Sequence, residues 1–281
     1  RGLVKTSEDF GNQGEAPSHP ELLDNLAVDF QKNSWDIKRL LKKILMSSTY
    51  RQSSRLRQEG VDKDPLNKLM WRAPAYRIKA EFIRDNAFQL AGILENKLGG
   101  PSVYPPQPEG LWAQVSHFGH TTPFTAQAYY QSHSRRMFRR SIYTVIKRTA
   151  PNPTLTTFDA PTRETCTTRR SSTNTPLQSL LTLNSPEFIA AARFLGQRMK
   201  GHSENISHQI NYGFRLATAR TPLQSEQQIM LATYKQQKEY YLKNPHEVKR
   251  LMENENMKAE DAAMTILAST ILNLSETMTR N

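Results

Sequence analysis

The side chains best suited to chemistry lie in one polar stretch, residues 158–178, of this 281-residue chain. Asp159 and Glu164 are candidates for an acid/base pair of the kind that glycosidases use. Cys166, the single cysteine, is a candidate nucleophile if a neighbouring cation lowers the pKa of its thiol. A structural interpretation competes with these, because eight Ser/Thr and several arginines in the stretch can tie carboxylates to backbone carbonyls between helices.

Positive charge is concentrated around the same stretch. Residues 131–170 contain nine basic and two acidic residues, a net of +7 out of the chain's +12. Eight of the nine are arginine, whose planar guanidinium binds carboxylate, sulfate or phosphate through two hydrogen bonds. We expect these groups to converge with the surroundings of Cys166 in one positive recess. The candidate ligand-binding residues are Arg139, Arg140, Arg163, Arg169, Arg170, Thr173 and Gln178.

Three histidines, His117, His120 and His133, are weak candidates for a metal site. The first two have a His-x-x-His spacing, but no acidic residue lies between Leu111 and Thr157 to complete a ligand set. The chain has no Cys-x-x-Cys-His, so it has no attachment site for haem c. We therefore predict no cofactor in this chain itself.

Composition limits the class of protein and of partner. A net charge of +12 favours anionic partners, whose attraction salt would weaken. No apolar run approaches the roughly 20 residues of a membrane helix, so no membrane span is predicted. Nucleic acid is an unlikely partner, because no nucleic-acid-binding motif accompanies the charge.

Helix signals predict an all-α, mainly helical fold. Ser18 and Glu21 suggest a capping box, a second helix is expected from Ser34, and an apolar stripe from Ile83 to Leu98 predicts a helix that ends at Gly99. Thr175 and Ser185 precede prolines at helix starts, and further helices are expected near residues 206–219, 222–242, 245–254 and 259–274.

The predicted organisation has an irregular lead-in, residues 1–17, that continues from a longer polypeptide. Residues 18–281 then form one mainly helical domain. Its helical halves, 18–100 and 176–281, are separated by a long irregular crossing, 101–175, which is rich in proline and aromatic residues and includes the polar Ser/Thr/Arg-rich loop.

Several blocks of sequence, taken together, resemble a known family. They include Asp64-Pro-Leu-Asn-Lys-Leu-Met-Trp-Arg72, Ala80-Glu-Phe-Ile-Arg-Asp85, Arg139-Arg-Ser-Ile-Tyr143, Arg163-Glu-Thr-Cys166 and Thr173-Asn-Thr-Pro-Leu-Gln178. They are similar to a domain of unknown function found at the C-terminus of large planctomycete proteins, often behind a cytochrome c module. Residues 111–136 align with no motif of that family.

The resemblance implies an extracytoplasmic or periplasmic location and haem c in an upstream module of the full-length protein. It brings no established activity and no catalytic residues. Our leading hypothesis is a non-catalytic binding or assembly domain that docks other modules of its own polypeptide, or an anionic polysaccharide, through its arginines. The alternative is an enzyme acting on sulfated polysaccharide around Asp159, Glu164 and Cys166. Nucleic-acid binding is a weaker alternative.

Overall fold

A computed structural model describes residues 2–6, 8–9, 11–115, 128–254 and 256–280. Most of the regular structure in these residues is α-helical, which confirms the predicted fold class. The described strands are the two-residue segments β1 (Tyr76–Arg77) and β2 (Thr279–Arg280), which pair in a small sheet. No helix in the described part of the chain is both long and apolar enough to cross a bilayer.

The chain divides into two compact units. Unit 1 comprises Arg1–Tyr76, Thr167–Arg169 and Thr279–Asn281. A 3₁₀ turn at Gly11–Gln13 precedes its four helices, which are α1 (Pro20–Lys32), α2 (Ile37–Met46), α3 (Ser48–Arg51) and α4 (Gln58–Lys63).

Unit 2 comprises Arg77–Cys166 and Arg170–Met278. Its helices are α5 (Ala80–Ala91), α6 (Leu111–Gln114), α7 (Pro153–Thr157), α8 (Pro176–Asn184), α9 (Pro186–Lys200), α10 (Ile206–Thr218), α11 (Gln224–Lys243), α12 (Pro245–Met252), α13 (Ala259–Leu272) and α14 (Ser275–Met278). Two 3₁₀ turns, Ser134–Phe138 and Ser141–Tyr143, interrupt the irregular crossing.

The core of unit 2 is built around α13, which is apolar on almost every side. Met264, Leu267 and Ala268 have no exposed surface and belong to a cluster with residues of α5, α9 and α10. Helices α9 and α13 approach closely at Gly196, where an added Cβ would lie 3.2 Å from the carbonyl carbon of Met264. The inward face of α9 is fully buried or nearly so and comprises Phe188, Ala191, Ala192, Leu195 and Met199.

Three predicted helix starts and ends are wrong, each for a local reason. Ser18 does not cap α1, since its hydroxyl donates to the Leu3 carbonyl at 3.2 Å. Helix α2 begins after Asp36, whose carboxylate accepts from the Arg39 N–H at 3.0 Å. Helix α5 ends at Ala91 because Gly92 takes a left-handed conformation, φ +77°, and its N–H caps the last turn. Leu98 is consequently 77% exposed.

A buried ion pair joins α5 to α9. The Arg84 guanidinium and the Glu187 carboxylate lie 2.7 Å apart, and their side chains are 2% and 1% exposed. Arg84 also donates to the carbonyls of Met137, at 2.8 Å, and Arg139, at 2.9 Å. The pair therefore anchors the irregular segment 137–141 to two core helices, which fixes the backbone that precedes Arg140.

Removing the negative charge of this pair should be costly. We expect Glu187→Gln to lower the free energy of unfolding by about 3–5 kcal/mol, because it leaves the Arg84 charge buried without its counter-ion. Urea denaturation followed by circular dichroism measures the change. The matched control is Glu253→Gln, since Glu253 pairs with Arg193 at 2.8 Å but is largely exposed; its cost should be below about 1 kcal/mol. Equal losses in the two variants would contradict the role given to Arg84 and Glu187.

Candidate functional site

A cavity of about 350 Å³ lies in unit 2 beside α5. One side of this helix packs in the core through Ile83, Ala87 and Phe88. The other side lines the cavity through Glu81, Phe82 and Asp85. Residues three and four apart share a helix face, which explains why Glu81, Phe82 and Asp85 meet there. The segments around 140–146, 151–156 and 160–163 complete the wall, together with Arg170.

Asp85 fixes the wall segment that follows Arg140. Its Oδ1 accepts hydrogen bonds from the backbone N–H of Ser141 at 2.7 Å and from the Ser141 hydroxyl at 2.6 Å. The same hydroxyl accepts from Arg84 at 3.3 Å, so the wall is linked to the buried ion pair. These bonds place the side chains of Arg140 and Ile142 at the cavity.

Four cations line the cavity: Lys79, Arg140, Arg163 and Arg170. Arg170 forms an ion pair with Glu81 at 2.6 Å. Within the described ranges, Lys79, Arg140 and Arg163 form no ion pair or side-chain hydrogen bond. The cavity therefore keeps three cations whose hydrogen-bond donors are available to a ligand.

Glu81 is held as a carboxylate. Burial raises the pKa of Glu81, but the hydrogen bond and charge of Arg170, with the charge of Arg163, outweigh burial and keep this pKa below the ordinary value of 4.5. At neutral pH Glu81 can accept hydrogen bonds but cannot donate a proton.

Thr144 contributes an unsatisfied polar group to the wall. Its residue is 6% exposed, and the hydroxyl oxygen has no hydrogen-bond partner among the described residues. A buried hydroxyl without a partner costs roughly 1–3 kcal/mol, and the Thr144 oxygen is almost completely enclosed by protein. Thr144 lines the same cavity as the three available cations.

Arg163 has a strained backbone, with φ +66°. Residues other than glycine seldom adopt this left-handed conformation, although eight other described non-glycine residues also have a positive φ. Arg163 lines the cavity.

A separate polar network joins Arg77 to the 158–178 stretch. The Asp159 carboxylate pairs with the Arg77 guanidinium and accepts from the Thr173 backbone N–H at 2.8 Å and the Thr173 hydroxyl at 2.9 Å. Gln178 donates to the Thr157 carbonyl at 3.0 Å and to the Thr173 hydroxyl at 3.1 Å. Asp159, Thr173 and Gln178 thus lie together and stabilise the loop between α7 and α8.

The ligand-binding residues that the sequence predicted lie in different parts of the structure. Arg140, Arg163 and Arg170 share the cavity. Arg139 does not, because its guanidinium is buried against the carbonyls of Lys97, Gly99 and Pro101 and over the Tyr143 ring, 3.9 Å from its centroid. Arg169 is exposed and belongs to unit 1.

Among the described residues, the candidates for catalysis and for metal binding do not lie together in one site. Glu164 and Cys166 are exposed and line no part of the cavity. His133 is exposed, whereas His117 and His120 lie outside the described residues. Among the described residues, no three His, Cys, Asp or Glu side chains cluster as metal ligands.

Sequence reasoning did not select Lys79, Glu81, Asp85 or Thr144. The spacing of Glu81 and Asp85, four residues apart at the start of a predicted helix, was the available signal, since such residues share one face. Thr144 gave no signal, because its importance depends on burial without a partner.

Acid should weaken the Asp159 network. Burial raises the pKa of Asp159, but the Thr173 N–H and Arg77 lower this pKa more, below the ordinary 3.8. A carboxyl with a lowered folded-state pKa stabilises the fold above about pH 4 and loses this effect as pH falls further. Asp159→Asn should therefore lower stability at pH 7 and make the loss between about pH 4 and pH 2 shallower. Thermal melts against pH measure this, with Asp24→Asn, at an exposed carboxyl of α1, as control. Identical acid profiles for Asp159→Asn and the wild type would contradict it.

Comparison with known proteins gives one match. Residues 1–234 match the family described as PSD1, protein of unknown function (DUF1553). No curated protein and no solved structure matches the chain. The match covers the cavity-lining residues and the Asp159 network and ends within α11, and it confirms the resemblance at the level of a family without an assigned activity. The chain belongs to this family of unknown function.

Proposed function

We propose that the chain is a non-catalytic binding and assembly domain, and that the cavity of unit 2 binds an anionic group of a partner or polysaccharide. The observation that carries the proposal is that Lys79, Arg140 and Arg163 line one cavity, with no ion-pair partner among the described residues. Guanidinium groups bind carboxylate and sulfate through paired, charge-assisted hydrogen bonds.

The acidic residues of the cavity favour binding over catalysis. A glycosidase needs one carboxylic acid with a raised pKa to protonate the leaving group. The pKa of Glu81 is lowered instead, and Asp85 already accepts two hydrogen bonds from Ser141. The alternative enzyme site is supported less, because Asp159 is engaged by Arg77 and Thr173 while Glu164 and Cys166 are exposed.

The proposed setting is a large exported protein. It includes an extracytoplasmic or periplasmic location, a planctomycete source and haem c in an upstream module, all of which rest on the resemblance of the sequence blocks. The intact gene product tests the haem component directly, since a covalently attached haem c is retained after denaturation. An intact polypeptide without haem would remove the cytochrome part of the proposal.

Helix α2 supports the assembly part of the proposal. Ile37, Leu41 and Leu45 are exposed along one side of α2, and Lys38 and Lys42 lie on its basic side. An exposed apolar stripe bordered by cations is suited to an acidic partner surface with an apolar centre. We propose another module of the same polypeptide as that partner.

The cavity arginines should control anion binding. We expect Arg140→Ala and Arg163→Gly each to weaken the binding of a heparin hexasaccharide about tenfold, since each removes charge-assisted hydrogen bonds. Raising NaCl from about 0.05 to 0.5 M should weaken wild-type binding further. Isothermal titration calorimetry measures both effects.

The controls separate a specific site from general positive charge. Arg135→Ala removes an exposed arginine that does not line the cavity, and should change affinity less than twofold. Arg163→Gly should not lower the melting temperature, because glycine relieves the strain at φ +66°. Neutral dextran should not bind, and a DNA oligonucleotide should bind without sensitivity to Arg140→Ala. Equal effects of Arg135→Ala and Arg140→Ala, or no binding of heparin, would overturn the proposal.

Docking of α2 should slow its hydrogen exchange. We expect amides of residues 37–46 to exchange at least about tenfold more slowly in the intact polypeptide than in the isolated 281-residue chain, because a bound partner suppresses local opening. Mass spectrometry of peptides measures this, with α12 as the internal control. Unchanged α2 rates, or equal slowing of α2 and α12, would contradict docking at α2.

A further inference from the structure

The cavity combines its cations with an exposed apolar side. Phe82 on α5 is 55% exposed, and Ile142 and Ile146 on the opposite segment are also largely exposed. All three line the cavity. An inorganic anion would use the cations but make no use of this apolar surface. The occupant should therefore carry a ring or chain with an apolar face.

The cavity also contains acceptors for hydroxyl groups. Oε2 of Glu81 accepts from Arg170, and Oδ1 of Asp85 accepts both bonds from Ser141. A carboxylate has about four acceptor sites, so each side chain keeps capacity for further donors. Glu81 stays ionised at neutral pH, because burial raises its pKa but Arg170 and Arg163 lower this pKa by more.

We propose that the ligand of this cavity is a sugar acid, a hydroxylated ring that carries one carboxylate or sulfate group. Lys79, Arg140 and Arg163 would bind the anionic group, Glu81 and Asp85 the ring hydroxyls, and Phe82 the apolar face of the ring. This inference rests on the proposed anion-binding function and adds the chemical class of the ligand.

The two carboxylates of the cavity argue against a nucleic-acid backbone as its ligand. Phosphates follow one another closely along a strand, so phosphates next to the bound one would meet the carboxylates of Glu81 and Asp85. A sugar ring with one anionic group offers neutral hydroxyls at those positions instead. A volume of about 350 Å³ lies at the lower end of ligand pockets, which suits one ring with part of its neighbour.

Four small ligands separate the contributions of charge, hydroxyls and ring. D-Glucuronate has all three, cyclohexanecarboxylate lacks the hydroxyls, D-glucose lacks the charge and acetate lacks hydroxyls and ring. We expect D-glucuronate to bind at least about tenfold more tightly than each of the others, because each lacks interactions worth a factor of that order. D-Glucose 6-sulfate should bind as D-glucuronate does. Titrations followed by NMR chemical shifts of the whole chain measure all five.

Two variants test the assigned contacts. Phe82→Leu, at an exposed position, should weaken D-glucuronate about threefold to tenfold and leave acetate unchanged. Thr144→Val should leave the affinity for D-glucuronate within about twofold, since it removes a hydroxyl that is enclosed by protein, at constant shape. Tyr130→Leu is the matched control, because Tyr130 is exposed and does not line the cavity.

The outcomes distinguish the ligand class from the proposed function. Equal affinity for D-glucuronate and cyclohexanecarboxylate, with loss of both in Arg140→Ala, would overturn the sugar-acid inference and retain the anion-binding function. An equal effect of Phe82→Leu and Tyr130→Leu would also overturn the inference. No binding of any of the carboxylates would overturn the proposed function as well.

Discussion

The arrangement of the cavity depends on one buried charge pair, Arg84 with Glu187. Burying two charges is expensive, and hydrogen bonds to the remaining donors offset part of that cost, although Oε2 of Glu187 has no partner among the described residues. The donors of Arg84 are used fully, by Glu187, by the Met137 and Arg139 carbonyls and by the Ser141 hydroxyl. Two helices and an irregular segment are thereby held at one point. Glu187 also affects Tyr129. Burial raises the pKa of Tyr129 above its ordinary value of 10, and the negative charge of Glu187 raises this pKa further.

Arg139 and Arg140 are adjacent in sequence but have different roles, because the Arg84–Glu187 pair fixes the backbone that carries them. Arg139 is directed inward, where its guanidinium satisfies carbonyls around Gly99 and stacks on Tyr143. Arg140 comes next in sequence and lines the cavity. In extended backbone, successive side chains point to opposite sides, so fixing the backbone of this pair determines which arginine is structural and which is available. The 3₁₀ turn that follows, Ser141–Tyr143, is held by Asp85.

The sequence predicted the C-terminal helices well because their limits are encoded locally. Proline at the first position and regular apolar spacing gave α8, α9, α12 and α13 to within a few residues. The prediction failed at α5, where the helix ends at Ala91, about two turns before the apolar spacing ends at Leu98. The apolar spacing continues beyond Gly92, so the sequence does not show that this glycine adopts φ > 0 and ends the helix. The conformation of the glycine depends on the contacts that the following residues make in the folded chain.

The candidate site was predictable only in part, for a similar reason. Arginine content pointed to Arg140, Arg163 and Arg170, but charge in the sequence does not reveal which cations are neutralised. Arg139 finds carbonyls about 40 residues away, and Arg170 finds Glu81 at a separation of 89 residues. Thr144 matters through burial without a partner, a property of the folded chain alone.

The balance of charge in the cavity follows from these pairings and limits what it can hold. A purely cationic surface would attract any polyanion, with little discrimination between phosphate, sulfate and carboxylate polymers. Glu81 and Asp85 add a penalty for a second anionic group placed beside them, because two like charges at short distance repel strongly where water is partly excluded. In the complex that we propose, specificity for one anionic group surrounded by hydroxyls would arise from the carboxylates that Arg170 and Ser141 hold in place.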